Sequence, residues 1–381
     1  MPNTTEIIYQ SNESSEKKKH LNKAPSLVII TGGDPAGISA EVIRKSLVAT
    51  PIPATQSIVY LYNAGIAVDG SDQELNLLKS QLGRRLVVAS TQSIEQETDL
   101  VIKLAKNPNG RIYLLPIQLQ PESKAKIESK ASFGKPSELS GRLAFLALEK
   151  ACTLIKQSGL EPNRFSLVTA PLSKEWVIRS GLYQNFSGHT GYLAEQFDSE
   201  VLMLMHGRSF SVVPLTEHVA LAEVTSALQK RLSSKKFQSL LIDLCNRPVF
   251  QGKGVALCGV NPHCGEGGLI GDEESTILEP FLNKLVDQNL SITGPLSADT
   301  LFMAQQLKQY RLVLACYHDQ GLIPFKALEG ESGVNVTIGL PFLRTSPDHG
   351  TAFDLAGKES ANAESMTQAL LTAMSANRGE L

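Results

Sequence analysis

Long apolar runs are missing from this 381-residue sequence. None approaches the roughly 18 residues that span a membrane. An excess of one charge is missing too. Lys and Arg total 36 against 38 Asp and Glu, a net charge of −2. A nucleic-acid binder would show a basic excess or stripe, and none is present. Cysteine is scarce and odd in number: Cys152, Cys245, Cys258, Cys264 and Cys316, with no Cys-x-x-Cys pair. That excludes a disulfide framework or a four-cysteine zinc site and suits free thiols in a reducing cytoplasm. Gly and Pro, at 29 and 19, are near average usage, so collagen-like and low-complexity readings fail. The Gly-x-Gly-x-x-Gly fingerprint, a Walker A loop, a His-x-x-x-His pair and internal repeats are all absent. Residues 1–25 lack the apolar core of a signal peptide and read as a polar, disordered tail.

The length suggests two to three domains, at roughly 150 residues each. Short apolar runs recur at 26–30, 57–62, 111–115, 166–169, 201–205, 255–260 and 312–316. They are continuous rather than alternating, as in strands buried on both faces. Between them lie helical patterns. Leu143, Leu146, Ala147, Ala151, Leu154 and Ile155 share one helix face, in a segment that starts near Ser140 and stops at Gly159. Segments 220–232, 278–286 and 365–376 repeat the pattern. Strands alternating with helices predict an α/β fold with a mostly parallel sheet. Residues 95–135 read as irregular insertion material around one strand, and 325–344 as turns and short strands.

Three of the seven histidines follow apolar runs: His218 in LTEH, His263 in NPHCGEGG and His318 in CYHDQG. Ligands of open α/β sheets bind at the carboxyl ends of strands. Three imidazoles delivered there could converge on one cation with open positions, a catalytic arrangement, or each could serve its own loop. The turn TGGDPAGI at 31–38 follows the first strand and precedes a helix, where backbone N–H groups can meet an anion. His189 and Thr190 form a polar pair in SGHTG. Lys326, Asn335 and Arg344 could hold a phosphate or stand as solvated surface groups. The segment 346–352, SPDHGTA, packs a histidine, a glycine and a hydroxyl into one loop.

Taken together, TGGDPAGI, VTAPLSK, SGHT, GVNPHCGEGG, GPLSADTLF, CYHDQGLIPFK and GVNVTIGLPFLRTSPDHGTAFDLAGK run in order from Thr31 to Lys358. In these strings the chain resembles the 4-hydroxythreonine-4-phosphate dehydrogenase family of vitamin B6 biosynthesis. The resemblance implies two α/β/α domains flanking a cleft, as in isocitrate and isopropylmalate dehydrogenases, in a cytoplasmic homodimer with its site near the interface. It implies a first, cofactor-side domain from 26–155 and 336–381, and a second, metal-side domain from 156–335. The metal ligands fall on His218, His263 and His318, and the substrate positions on His189, Thr190, Lys326, Asn335 and Arg344. NAD or NADP lies along His349, Gly350, Thr351 and Ala352, with Gly33 and Asp34 as further neighbours. Three histidines suit zinc, cobalt, nickel or iron, and an added phosphate oxygen admits magnesium or manganese.

The implied reaction oxidises the carbon-3 hydroxyl of 4-phosphooxy-L-threonine and then releases carbon dioxide, leaving 3-amino-2-oxopropyl phosphate. Lys174, Asp299 and Asp319 are candidates for the group that takes the hydroxyl proton. The chain departs from the family pattern at four places. Position 191 is Gly where an acid is usual. Gly37-Ile-Ser-Ala-Glu41 stands for Gly-Ile-Gly-Pro-Glu. Thr216-Glu217 replaces two threonines, and Leu269-Ile270 follows Gly268 where a histidine is common. The missing acid beside His189 raises an alternative substrate without an amino group, threonate or erythronate 4-phosphate. A metal-binding relative without catalysis is the third reading.

Overall fold

The computed structural model describes residues 25–63, 71–117, 131–252 and 254–375. The tail read at 1–25 lies outside them but for Pro25. Among the described residues twelve strands are formed. They are β1 (Leu27–Thr31), β2 (Ser57–Tyr62), β3 (Leu86–Val88), β4 (Ile112–Pro116), β5 (Phe165–Thr169), β6 (Leu202–His206), β7 (Ser211–Pro214), β8 (Gly254–Cys258), β9 (Ile292–Leu296), β10 (Tyr310–Ala315), β11 (Val334–Ile338) and β12 (Leu343–Pro347). Each of the seven apolar runs forms one of these strands. β1, β2 and β5 are buried at every position, as strands covered on both faces must be.

The chain divides into two compact units, Met1–Gln196 with Pro341–Glu380, and Phe197–Leu340. In the first unit the strands run β3-β4-β2-β1-β5-β12, every neighbouring pair parallel. In the second they run β11-β6-β7-β10-β8-β9. There β6 is antiparallel to both neighbours and the remaining pairs are parallel. Pairing decides the boundaries. β5 lies between β1 and β12, so residues 156–196, expected in the second domain, belong to the first. β11 pairs with β6, so 336–340 belong to the second.

The first unit's long helix, Glu138–Ser158, begins with a capping box between Ser137 and Ser140 and ends at Gly159 in the left-handed region, φ 58°. A Cβ at Gly141 would lie 2.1 Å from the Trp176 carbonyl oxygen, so this position lets the helix Lys174–Arg179 pack against it. The closing helix, Glu364–Ser375, covers β5 and β12. Its carbonyls accept from Thr345 Oγ1 at 2.9 Å and Ser166 Oγ at 2.8 Å.

Two local expectations fail. Residues 94–106, read as irregular, form a helix, Ile94–Lys106. Ser93 caps it by accepting from the Gln96 N–H, while Val101, Leu104 and Ala105 face inward. Abundant charge on the outer face hid that narrow stripe. The helix His318–Glu329 runs through Pro324 into the segment expected to be turns, and carries Lys326 on its exposed side. Of the 95–135 insertion, residues 118–130 lie outside the described residues.

Candidate functional site

The second unit carries the three strand-end histidines. His218 follows β7, where the Thr216 hydroxyl donates to the Cys316 carbonyl at 2.8 Å and the Leu215 N–H to the Ala315 carbonyl at 2.7 Å. These bonds tie the ends of neighbouring β7 and β10. His318 opens the helix after β10, and its Nδ1 lies 2.7 Å from Asp319 Oδ1. That contact leaves Nε2 for a ligand, with the carboxylate fixing the ring. The His218 and His318 rings are 5.7 Å apart, centre to centre. They line a cavity of about 380 Å³ with Thr216, Tyr317 and Asp319.

His263 follows β8 in a turn of unusual backbone. His263, Cys264, Gly265, Glu266 and Gly267 all take left-handed angles, with φ from 46° to 75°. Buried Glu274 supports the approach to this turn. Its Oε1 accepts from the Val260 and Asn261 N–H groups, both at 2.8 Å, and its Oε2 from Asn261 Nδ2 at 2.9 Å. Gln320 is a further connector. Its Nε2 donates to the Gly259 carbonyl at 2.6 Å and its Oε1 accepts from the Cys316 N–H at 2.6 Å. One side-chain amide thus joins the strand end before His263 to the strand end before His318. Sequence reasoning passed over Gln320 and Glu274, because their partners are backbone groups distant along the chain.

As a donor set for a divalent ion, the residues fit in part. His218 and His318 flank a common cavity, and two imidazoles with open positions suit such an ion. Among the described residues no group of three His, Cys, Asp or Glu side chains is placed to hold a metal, so His263 does not join the pair. Asp299 is fully exposed. Ser297 Oγ at 2.6 Å, the Thr300 N–H at 2.8 Å and the nearby His263 hold its carboxyl below the usual range. Asn335, on β11, keeps Oδ1 buried without a hydrogen-bond partner. Lys326 is exposed.

The first unit holds the other candidates. His189 and Thr190 open the helix His189–Gln196. Burial, then the charge of Arg344, holds His189 well below its ordinary pKa, so it is neutral at pH 7. Its Nε2 is buried with no partner. Arg344 is 2% exposed on β12 and donates through Nε and Nη2 to the Thr169 hydroxyl. Burial pushes its pKa down to about 9. Lys174 opens its short helix with an exposed side chain.

Asp34 and the loop at 349–352 complete this unit's set. Asp34 is fully buried, and its carboxyl is raised to about 6 because desolvation outweighs the Ala36 N–H it accepts at 2.9 Å. Its Oδ2 has no partner. The Ile38 N–H donates to the Thr351 carbonyl at 3.0 Å. A Cβ at Gly37 would stand 2.5 Å from that same oxygen, so the Gly-rich turn and the loop touch through backbone. His349 Nε2 is buried without a partner, and open space surrounds Gly350. An orphaned ring nitrogen beside a bare backbone fits a polar cofactor laid along the loop.

Comparison with known proteins agrees with the strings quoted above. The family described as "Pyridoxal phosphate biosynthetic protein PdxA" matches residues 77–373. The chain is 36% identical over 347 residues to a 4-hydroxythreonine-4-phosphate dehydrogenase of Geobacter metallireducens, covering 91% of this chain and 94% of that one. It is 33% identical over 364 residues to a protein of Oceanobacillus iheyensis named "Putative D-threonate 4-phosphate dehydrogenase", with 92% and 97% covered. It is also similar to the crystal structure of the Klebsiella pneumoniae 4-hydroxythreonine-4-phosphate dehydrogenase. The TM-score is 0.68 at 30% identity, with 93% of this chain and 98% of that chain covered.

Proposed function

The chain belongs to the PdxA family of pyridoxal phosphate biosynthetic proteins, and from that membership we propose that it is an NAD(P)-linked, metal-dependent dehydrogenase. Its substrate is 4-phosphooxy-L-threonine, oxidised at carbon 3 and then decarboxylated to 3-amino-2-oxopropyl phosphate. The observation that carries the metal-dependent step is the His218–His318 pair, 5.7 Å apart at the ends of adjacent strands. These two imidazoles would hold a divalent ion, and we assign His263 to it as the third ligand, although the described structure does not bring His263 into the pair. When bound, such an ion lowers the pKa of the substrate hydroxyl and offsets negative charge as carbon dioxide leaves. His349, Gly350, Thr351 and Ala352 would hold NAD(P), which would supply the hydride acceptor.

The chain's own groups divide the remaining work. Asp319 orients His318 rather than acting as the base. Asp299, ionised and near His263, is the candidate proton acceptor in the second unit. Arg344 supplies positive charge for the phosphate or carboxylate, and His189 supplies a neutral imidazole whose Nε2 is unsatisfied. Asn335 Oδ1 accepts from a donor on the substrate, and Lys326 adds a second cation. The protein works as a cytoplasmic homodimer, which sedimentation velocity tests. No helix among the described residues is long and apolar enough to cross a membrane.

A second reading rests on Gly191. A Cβ there would lie 1.9 Å from the Ser187 hydroxyl. An acid at 191, able to meet an amino group, would have to displace Ser187. That favours an amino-free acid, threonate or erythronate 4-phosphate, with the same chemistry. The test is NAD(P) reduction at 340 nm with metal-loaded protein, offering the phosphorylated amino acid beside the two phosphorylated sugar acids. Turnover of the amino acid supports the B6 reading. Turnover of a sugar acid alone moves the protein to sugar-acid catabolism, and turnover of none removes the dehydrogenase reading.

A further inference from the structure

The loop after β12 is held at both ends by one helix, Ser39–Ala49, and the turn that leads into it. Between those ends, residues 352–358 make successive tight turns, with the N–H groups of Leu355 and Lys358 donating to carbonyls three residues back. Such a segment owes its position to its anchors. The front anchor is the Ile38–Thr351 backbone bond already described. The rear anchor is built from Glu41, Arg44 and Lys45. Lys45 Nζ donates to the carbonyls of Glu359 and Ala361 at 3.0 and 2.9 Å, and to Glu41 Oε1 at 2.6 Å. The same Glu41 oxygen accepts from the Ala361 N–H at 2.9 Å. Arg44 Nη2 reaches Glu359 Oε2 at 2.6 Å, while its Nε and Nη1 are fixed by Glu74 at 2.8 Å and Gln81 at 3.0 Å. Glu359 itself takes a left-handed φ of 55°.

Three features argue against ordinary helix decoration. Arg44 is 3% exposed, and its guanidinium is spread over three side chains, two on the helix Ser71–Leu82 and one in the loop. Two of the Lys45 bonds go to loop carbonyls, which turns an exposed-type side chain into a backbone clamp. The residue clamped hardest, Glu359, sits at an angle that a non-glycine residue adopts only when its surroundings require it.

We infer that Glu41, Arg44, Lys45 and Glu359 are positioning residues for the cofactor loop, setting the rear end of 349–361 so that its front end is presented to NAD(P). This inference rests on the assignment of the cofactor to His349–Ala352. None of the four residues is assigned contact with the cofactor. They act by limiting the loop's conformations before binding, which lowers the ordering cost that binding would otherwise carry.

The test compares Glu359→Gln, Lys45→Met and Gly350→Val with the parent protein by NADH fluorescence titration, thermal unfolding and steady-state kinetics. Glu359 and Lys45 are accessible enough to substitute without opening a core. The expected result is a rise of about three- to tenfold in NADH Kd and NAD(P) KM for Glu359→Gln and Lys45→Met, equivalent to ~0.7–1.4 kcal/mol. KM for the phosphorylated acid and kcat at saturating cofactor stay within twofold. Equal losses in all constants, or no change in NADH Kd, overturn the positioning role. Gly350→Val separates the two layers. If it leaves NADH binding intact, the cofactor assignment of the loop fails. If it weakens binding while Glu359→Gln and Lys45→Met do not, only the anchoring inference fails.

Discussion

Arg344→Met separates a buried cation kept for structure from one kept for a ligand. Arg344 is 2% exposed, and burial moves its pKa from the ordinary guanidinium range down to about 9. That gap, at about 1.36 kcal/mol per pKa step, is a penalty of roughly 5 kcal/mol on the charged form. The sign follows from proton binding. From about pH 9 up to the ordinary guanidinium range the unfolded chain holds more protons than the folded one, so stability rises with pH across that window. At pH 7 the folded protein carries the whole penalty. Methionine of similar length removes it but strands the Thr169 hydroxyl, which accepts from Nε and Nη2, at a cost of ~1–3 kcal/mol.

The balance favours the variant by ~2–4 kcal/mol in the free protein. Ligand binding runs the other way, because the lost charged hydrogen bond costs ~1.5–3 kcal/mol and raises KM for the phosphorylated substrate at least tenfold. The assay is chemical unfolding followed by circular dichroism in phosphate-free buffer at pH 7.5, paired with substrate kinetics. The expected outcome is a higher unfolding midpoint with a raised KM. A variant that is less stable than the parent and whose KM changes by less than twofold would refute the reasoning, since Arg344 would then be a structural cation.

Gln320→Glu keeps the acceptor for the Cys316 N–H but sets an oxygen against the Gly259 carbonyl. Affinity for Co²⁺, read by chelator competition, should fall about 10–100-fold with the fold retained by circular dichroism; parental affinity would remove Gln320 from the site. Asp34→Asn tests the buried carboxyl. Its folded pKa of about 6 against 3.8 means that stability falls as pH rises through that window, so the parent is most penalised above pH 6. The variant should be up to ~3 kcal/mol more stable at pH 7.5 and nearly equal at pH 4, and identical unfolding curves at both would sink the burial argument. Gly191→Glu alone should lose stability against Ser187, whereas Ser187→Ala with Gly191→Glu should regain it. The double variant should shift kcat/KM about tenfold toward the amino acid over the sugar acid, and no shift would separate position 191 from the substrate's amino group.

The parts of the fold that the sequence made legible are those where burial and apolarity coincide. β1, β2 and the Leu312–Ala315 part of β10 announce themselves because a strand stretch covered on both faces is mostly apolar. β12 does not, although all of Leu343–Pro347 is buried. Its polar residues are satisfied across the fold, Arg344 by Thr169 and Thr345 by the Ala369 carbonyl. A buried strand made of hydrogen-bonded polar groups looks like a loop when its partners are unknown. β9 hides behind Gly294 and Pro295, and β3 is short and partly exposed. The site divides in the same way. Histidines at strand ends are visible as residue types in a pattern. Gln320 and Gly259 are 61 residues apart, and no local pattern marks that bond.

Backbone strain offers a view of the site that uses neither side-chain chemistry nor family. Eight non-glycine residues among those described have positive φ: Asp198, His218, His263, Cys264, Glu266, Asn289, Ala352 and Glu359. Six of these fall in three segments: the approach to His218, the turn at 263–267, and the loop at 349–361. Each costs about 1–2 kcal/mol for an L-residue. A chain free to relax would place Gly or Asn there, as its ordinary turns do at Gly159 and Asn289. His263 and Cys264 instead share one left-handed turn with Glu266, and Glu274 with Gln320 fixes its base by five hydrogen bonds, to residues 259–261 and to Cys316. The expense falls where a side chain other than glycine is needed at a fixed point. The ligand role proposed for His218 and His263 would supply that reason there, and the clamped carboxylate inferred above would supply it at 359. Relaxing the turn with His263→Gly should therefore raise the unfolding midpoint and, if His263 serves the proposed ion, lower Co²⁺ affinity read by chelator competition. A structural turn would gain stability and lose nothing.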